Sequence, residues 1–273
     1  MKPFRYPIIT LLTDFGTKDH YVASMKGVIL NINPRCTLVD ITHEVDPQDI
    51  RGGAMLLANA FSHFPRGTIH IAVVDPGVGG KRKPILIETK NYFFVGPDNG
   101  LFTMAGQRDR VKQAINLTNP KYFLPDISAT FHGRDIFAPA AGHLSLGINP
   151  NVFGKKLDHW VKLDLKEPEV KGEKLLGEIL LIDRFGNLIS NIEKEEFISF
   201  VKGRLFLIRA GNKTIRDLKK GYYEGEENEP MALFGSGGFL EIAVREGSAE
   251  KTLKVRKGDP IQIITKSKAS NSK

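Results

Sequence analysis

Short apolar, strand-like runs alternate with stretches of helical 3.6 spacing along the first 75 residues, and strand, helix, strand, helix, strand is the signature of βαβ units with a parallel sheet. Ile8 to Thr13 is a short apolar run closed by Asp14, Phe15 and Gly16, which reads as a buried strand and its exit turn. Tyr21, Met25, Val28, Ile29 and Ile32 then recur at helical spacing until Asn33-Pro34 stops them. Thr37 to Val45 has strand composition. Helical spacing returns at Ile50, Ala54, Leu57, Ala58 and Phe61, ends at Pro65-Arg66-Gly67, and is followed by the apolar run Ile71 to Val74.

That run delivers Asp75 to a strand end, and the turn Pro76-Gly77-Val78-Gly79-Gly80 brings Lys81 and Arg82 back beside it. Ligands collect at such ends in open α/β sheets, because loops there present side chains and free amides without disturbing the core. The same stretch reads equally as a tight turn whose glycines only supply positive φ. Further strands are expected over Ile85–Thr89, Tyr92–Val95 and Val111–Leu117, and Asp98-Asn99-Gly100 is a turn or a loop over a ligand. His132 precedes a helix expected from Arg134 or Asp135 to Gly147; the positive end of the helix dipole disfavours the imidazolium there. A capping histidine fits that position equally well.

From His159 to Lys174 the chain is charged and carries no apolar face, and a domain boundary is placed there. Beyond it lie short strands (Glu178–Ile182, Arg204–Ile208, Met231–Phe234, Phe239–Val244, Ile261–Thr265) punctuated by Gly, Asn and Asp, the pattern of a small barrel or sandwich. The expected organisation is an α/β domain with a mainly parallel central sheet over 1–162, a linker over 163–174, a smaller all-β, barrel-like domain over 175–266, and a disordered tail over 267–273.

A chain of 273 residues can bury substantial cores without staples. The single cysteine, Cys36, excludes an internal disulfide, no Cys/His spacing suits a metal, and MKPFRYPIIT shows no cleavage site, so a cytoplasmic protein is expected. No apolar run is long enough to span a bilayer. The net charge of +8 is spread through mixed-sign stretches apart from the terminal KSKASNSK, which argues against a nucleic-acid partner.

Seven stretches, in order, resemble the S-adenosylmethionine hydroxide adenosyltransferase (SAM hydrolase) family, which is related to fluorinase and chlorinase. They are TDFGTKDHYVASMKG (13–27), DITHEVDPQDIRGGA (40–54), VVDPGVGGKR (73–82), VGPDNG (95–100), TFHGRD (130–135), IDRFGN (182–187) and GSGGFLEIAV (235–244). The resemblance implies hydrolysis of S-adenosyl-L-methionine to adenosine and L-methionine by attack of water or hydroxide at the ribose C5′. It implies a water-holding triad of Asp75, Arg82 and His132, and a ribose-binding carboxylate at Asp14. In the second domain it implies that Asp183 holds the methionine amino group, that Phe185 and Asn187 lie at the adenine, and that Ser236 and Tyr222 supply further contacts. It also implies a homotrimer with sites at subunit interfaces, and no cofactor or metal.

The residues suit that chemistry. A sulfonium is already an activated leaving group, so the task reduces to aiming one water along the back of the C5′–S bond. Arg82 favours hydroxide character, Asp75 orients the water, and His132 accepts a proton or only positions. A halide-using enzyme is the nearest competing reading. A halide about 4 Å from an ionised Asp75 is repelled by roughly 4 kcal/mol at an effective dielectric of 20. Halogenating relatives lack this Asp, and Gly133 stands where the fluorinase has its halide-contacting serine; Gln48 and Tyr21 also depart from it. Two further readings compete with hydrolysis by the triad. One is a protein that binds S-adenosylmethionine or adenosine without turnover; the second is a hydrolase with Asp14, Asp75 and His132 as metal ligands, whose spacing is unlike HxH or HExxH.

Overall fold

The computed structural model describes residues 7–265, so the expected tail at 267–273 lies outside the described residues. The chain divides into two compact units between Asp164 and Leu165.

The first unit contains β1 (Ile8–Thr13), α1 (Tyr21–Ile32), β2 (Thr37–Thr42), α2 (Ile50–Ala60), β3 (Ile69–Val73), β4 (Pro84–Thr89), β5 (Phe93–Pro97), α3 (Thr103–Arg108), β6 (Val111–Leu117), α4 (Ala138–Ser145) and β7 (Gly154–Leu157). Its seven strands form one sheet in the order β2-β1-β3-β5-β4-β6-β7. The first four are mutually parallel, and β4, β6 and β7 extend the sheet by antiparallel pairing. The βα crossovers produce the parallel part; the short link from β4 to β5 makes a hairpin, and β6 and β7, reached by longer connections through helices, complete the antiparallel edge.

Every residue of β3 is buried. Its odd positions, Ile69, Ile71 and Val73, join Ile9 and Leu11 of β1, Met25 and Ile29 of α1, and Ala140, Ala141 and Leu144 of α4 in one core cluster. On the opposite side His70 lies among Phe61, Phe64, Tyr92 and Phe94. Both faces of the inner strands β1 and β3 are covered, which is why they read as unbroken apolar runs, whereas edge strand β2 is only partly buried.

The chain leaves β1 for β2 on one side and later places β3 on the other. The carboxyl ends of β1 and β3 thus flank the switch in strand order, the crevice that open α/β sheets use for ligands. Thr13 pairs with Val73 at those ends, so Asp14 and Asp75 leave neighbouring parallel strands at nearly the same level.

The second unit contains β8 (Glu169–Lys171), β9 (Lys174–Ile182), β10 (Leu188–Glu193), α5 (Lys194–Val201), β11 (Phe206–Ala210), β12 (Lys213–Ile215), β13 (Pro230–Phe234), β14 (Phe239–Val244), α6 (Ala249–Leu253) and β15 (Pro260–Thr265). Strands run in the order β12-β11-β15-β9-β10-β14-β13, all antiparallel, with β8 added beside β9. Leu218, just past β12, bridges to Ala232 of β13, and this contact nearly closes the sheet into a barrel. Leu175, Ile179, Leu188, Ile208, Leu240, Ile242, Ile261 and Ile263 fill its core. β8 and the first residue of β9, Lys174, lie in the stretch expected as a linker, paired around the Gly172 turn.

Candidate active site

Asp75, Arg82 and His132 meet at the end of β3. The Arg82 Nε–H is shared between both carboxylate oxygens of Asp75 at 2.9 Å, and Nη2 also donates to Oδ2. The same Nη2 donates to His132 Nδ1 at 2.8 Å. A guanidinium can only donate, so His132 Nδ1 is an acceptor and the ring proton sits on Nε2. The pair is nearly dry, with Asp75 and Arg82 side chains 4% and 9% exposed. The imidazole pKa is held below its ordinary 6.5, first by burial and then by the Arg82 charge, with Asp75 and Asp135 opposing. Arg82 Nη1 is buried and has no partner among the described residues.

Two backbone devices fix this group. Gly79 has φ +74°, and a Cβ there would overlap the Ala129 carbonyl, so the 75–82 loop lies directly on the segment that leads to His132. The Asn99 side chain donates to the Val74 carbonyl at 2.8 Å, immediately before Asp75, which makes the Asp98-Asn99-Gly100 stretch a clamp on the strand end. Past His132 the expected helix begins as a π-helical turn, Gly133–Phe137, and becomes α-helical only at Ala138. Widened turns of this kind recur at functional sites. Buried Asp135 takes the Ser128 N–H at 2.8 Å and the Arg134 Nε–H at 2.6 Å, securing the approach to His132.

Asp14, half-buried, accepts the Gln48 N–H at 2.8 Å. Its neighbour Phe15 makes an edge contact with Phe131 at 5.9 Å, and Tyr21 contacts Phe131 at 5.1 Å, joining the Asp14 loop to the segment carrying His132. At Gly133 a Cβ would stand 3.2 Å from Met25 Sδ and 3.3 Å from the Phe131 ring, so a serine is crowded there. The bidentate Arg82 contact offsets part of the halide repulsion expected of a lone Asp75.

In the barrel unit, Asp183, Phe185, Asn187 and Tyr222 line one cleft of about 770 Å³, together with Arg245, Ser248 and Lys251. Asp183 shapes the turn between β9 and β10: Oδ1 accepts the Phe185 and Asn187 N–H groups at 2.9 Å, and Oδ2 accepts from the Asn187 side chain at 3.0 Å. That turn presents Phe185 to solvent, 75% exposed, where a core aromatic would be covered. Ser236 is exposed in the β13–β14 turn and is not part of the cleft lining.

Glu241 was not singled out from the sequence. It is buried on β14 and accepts the Tyr222 O–H at 2.6 Å. Burial raises its carboxyl pKa, with the Asp183 charge adding to the rise, and burial likewise raises the Tyr222 phenol. The available signal was one carboxylate inside the otherwise apolar run Phe239–Val244. Among the described residues no group of three or more His, Cys, Asp or Glu side chains could hold a metal.

The family model for the SAM hydroxide adenosyltransferase N-terminal domain matches residues 9–154, and that for the C-terminal domain matches residues 177–262. The chain belongs to the SAM hydroxide adenosyltransferase family. It is 42% identical over 267 residues to the (R)-S-adenosyl-L-methionine hydrolase of Methanocaldococcus jannaschii, covering 94% of this chain and 95% of that one. With the (R)-S-adenosyl-L-methionine hydrolase of Thermus thermophilus it shares 38% over 263 residues, 94% and 99% of the two chains. A fluorinase of an Actinoplanes species is more distant, at 30% over 269 residues, 87% and 90%. The crystal structure of an uncharacterized conserved protein from Thermotoga maritima superimposes with a TM-score of 0.88 at 38% identity, covering 94% of this chain and 99% of that one. Both the two-domain fold and the membership expected from the seven motifs are borne out.

Proposed function

We propose that this family member hydrolyses S-adenosyl-L-methionine to adenosine and L-methionine, with the water held by Asp75, Arg82 and His132. The observation that carries this reading is the assembled triad with one buried guanidinium nitrogen, Arg82 Nη1, left to donate to an oxygen from outside the chain. Relatives that share about two-fifths of their residues with this chain, over nearly its full length, are named for that hydrolysis.

In the reaction, water oxygen forms the bond to C5′ as the C5′–S bond breaks, methionine leaves as a neutral thioether, and one proton is released. Because Arg82 fills His132 Nδ1, we assign His132 to positioning, through its Nε2–H, rather than to the role of base. Asp75 is the anionic member of this group and is therefore assigned as acceptor of the released proton. Asp14 is proposed to hold the ribose hydroxyls and Asp183 the methionine amino group; Phe185, Asn187 and Tyr222 are proposed at the adenine and Ser236 at the methionine. We further propose a metal- and cofactor-independent, cytoplasmic homotrimer that brings the triad and the barrel cleft to one substrate, with no nucleic-acid partner. No described helix is long and apolar enough to cross a membrane.

The test is incubation of metal-stripped protein with each sulfonium epimer of S-adenosylmethionine, with and without chloride and chelator, followed by chromatography. Equal adenosine and methionine, insensitive to both additions, is expected. Intact substrate favours a binding protein, 5′-chloroadenosine a halogenase, and loss with chelator a metal enzyme. Light scattering should give three times the 30.4 kDa chain mass; a monomer would overturn the trimer.

A further inference from the structure

The stretch DITHEVDPQD is left without a role by the triad and the cleft, yet it wraps the loop that carries Asp14. His43, buried, places Nδ1 2.9 Å from the hydroxyl of fully buried Thr13. Its Nε2 lies 3.0 Å from Asp40 Oδ1, although off the line of an ideal hydrogen bond, and Asp40 Oδ2 accepts from Lys26 Nζ at 2.7 Å. A carboxylate beside Nε2 favours the proton there, which leaves Nδ1 to accept from the Thr13 O–H. The Thr13 oxygen in turn accepts the Phe15 N–H at 3.2 Å.

The backbone of the same stretch acts in parallel. The His43 carbonyl accepts the Gly16 N–H at 2.7 Å, Val45 N–H reaches the Thr13 carbonyl at 3.4 Å, and Gln48 N–H reaches Asp14 itself. Opposite Leu11 and Leu12 the pairing passes from Asp40 to Thr42 and skips Ile41 of β2, an irregularity of the kind that re-aims side chains at sheet ends. Residues 13, 15 and 16 are therefore held on both sides of Asp14 by one buried imidazole and its own backbone.

We infer that His43, anchored by Asp40, is a positioning residue for substrate binding: through Thr13 it fixes the loop that aims Asp14. This rests on the proposed contact of Asp14 with the ribose. A fixed acceptor acts on binding of substrate and transition state alike, so its loss raises KM and spares kcat.

Kinetics with S-adenosylmethionine on Asp14→Asn, His43→Ala and the double variant test it, with melting temperature followed in each. His43→Ala is expected to raise KM about tenfold with kcat within about threefold, and to add little once Asp14 is already Asn, because residues acting as one unit are non-additive. His43→Asn, whose carboxamide oxygen can still accept from Thr13, should recover most of the loss; half-exposed Asp40→Asn should shift KM in the same direction by less. A fallen melting temperature with unchanged KM, or fully additive effects, overturns the inference. An Asp14→Asn enzyme with wild-type KM overturns the role of Asp14 and the inference with it, whereas an effect of Asp14→Asn without one of His43→Ala overturns the inference alone. If the wild type turns over no substrate, the proposed reaction fails and the same cycle is read as adenosine Kd by calorimetry, with the same expectation of non-additivity.

Discussion

At the scale of single residues, Asp75 and Arg82 are too dry to be treated independently. Truncating either leaves the other charged and buried, at a cost of about 3–5 kcal/mol. Asp75→Asn keeps the shape while removing the anion, so it also leaves the Arg82 charge unpaired. In the fraction that circular dichroism shows to be folded it is expected to lower kcat by roughly 10²–10⁴-fold, the usual range for a positioned acid–base group. Product formation at the wild-type rate would exclude Asp75 from the chemistry. His132 gives a second test. Its pKa is pushed below 6.5 by burial and by Arg82, and Nδ1 must be unprotonated to accept from Arg82. Activity should thus fall with a midpoint below pH 6.5, in step with the imidazole resonances of His132 in an NMR titration. A midpoint at or above 6.5 would contradict the geometry.

At the scale of elements, the triad depends on how two loops lie against each other. Gly79→Ala would place a methyl into the Ala129 carbonyl at a left-handed backbone position, with an expected loss of about 1–3 kcal/mol of stability. Because Gly79 lies between Asp75 and Arg82, activity should fall further than the folded fraction measured by circular dichroism; equal losses would show the loop to be a spacer. Much of this arrangement was legible in the sequence. Short apolar runs and stretches of period 3.6 located β1, α1, β2, α2 and β3, and strand ends located Asp14 and Asp75. What was illegible has physical causes. The π-helical turn after His132 has no periodic signature of its own over five residues. Asn99 acts on a carbonyl distant in sequence, and only the folded chain shows that Val74 is its partner. α5 and α6 are of eight and five residues, too short for an apolar stripe to stand out, and Glu241 acquires meaning only once Tyr222 is seen beside it. Asp183, read as a ligand contact by resemblance, also spends three hydrogen bonds holding its own turn.

For the whole molecule, acid should unfold the first domain earlier than its carboxylates alone would require. His70, inside β3 and bonded to Thr10, is kept neutral by burial, its pKa lowered from 6.5 to about 3. The unfolded chain therefore binds a proton that the native state refuses. The contribution is fully present above pH 6.5 and is lost as pH falls towards 3. Urea midpoints measured between pH 7 and pH 4 should decline, and His70→Asn should flatten that decline; an unchanged slope would assign it to other groups. The division of the chain between Asp164 and Leu165 carries a consequence for biosynthesis. Each unit is continuous in sequence, and domains form in the order in which they leave the ribosome. Domain-by-domain folding thus lets the sheet, the loop crossing at Gly79 and the meeting of Asp75, Arg82 and His132 form while the barrel strands are still emerging, so the reacting group is expected to mature before the cleft.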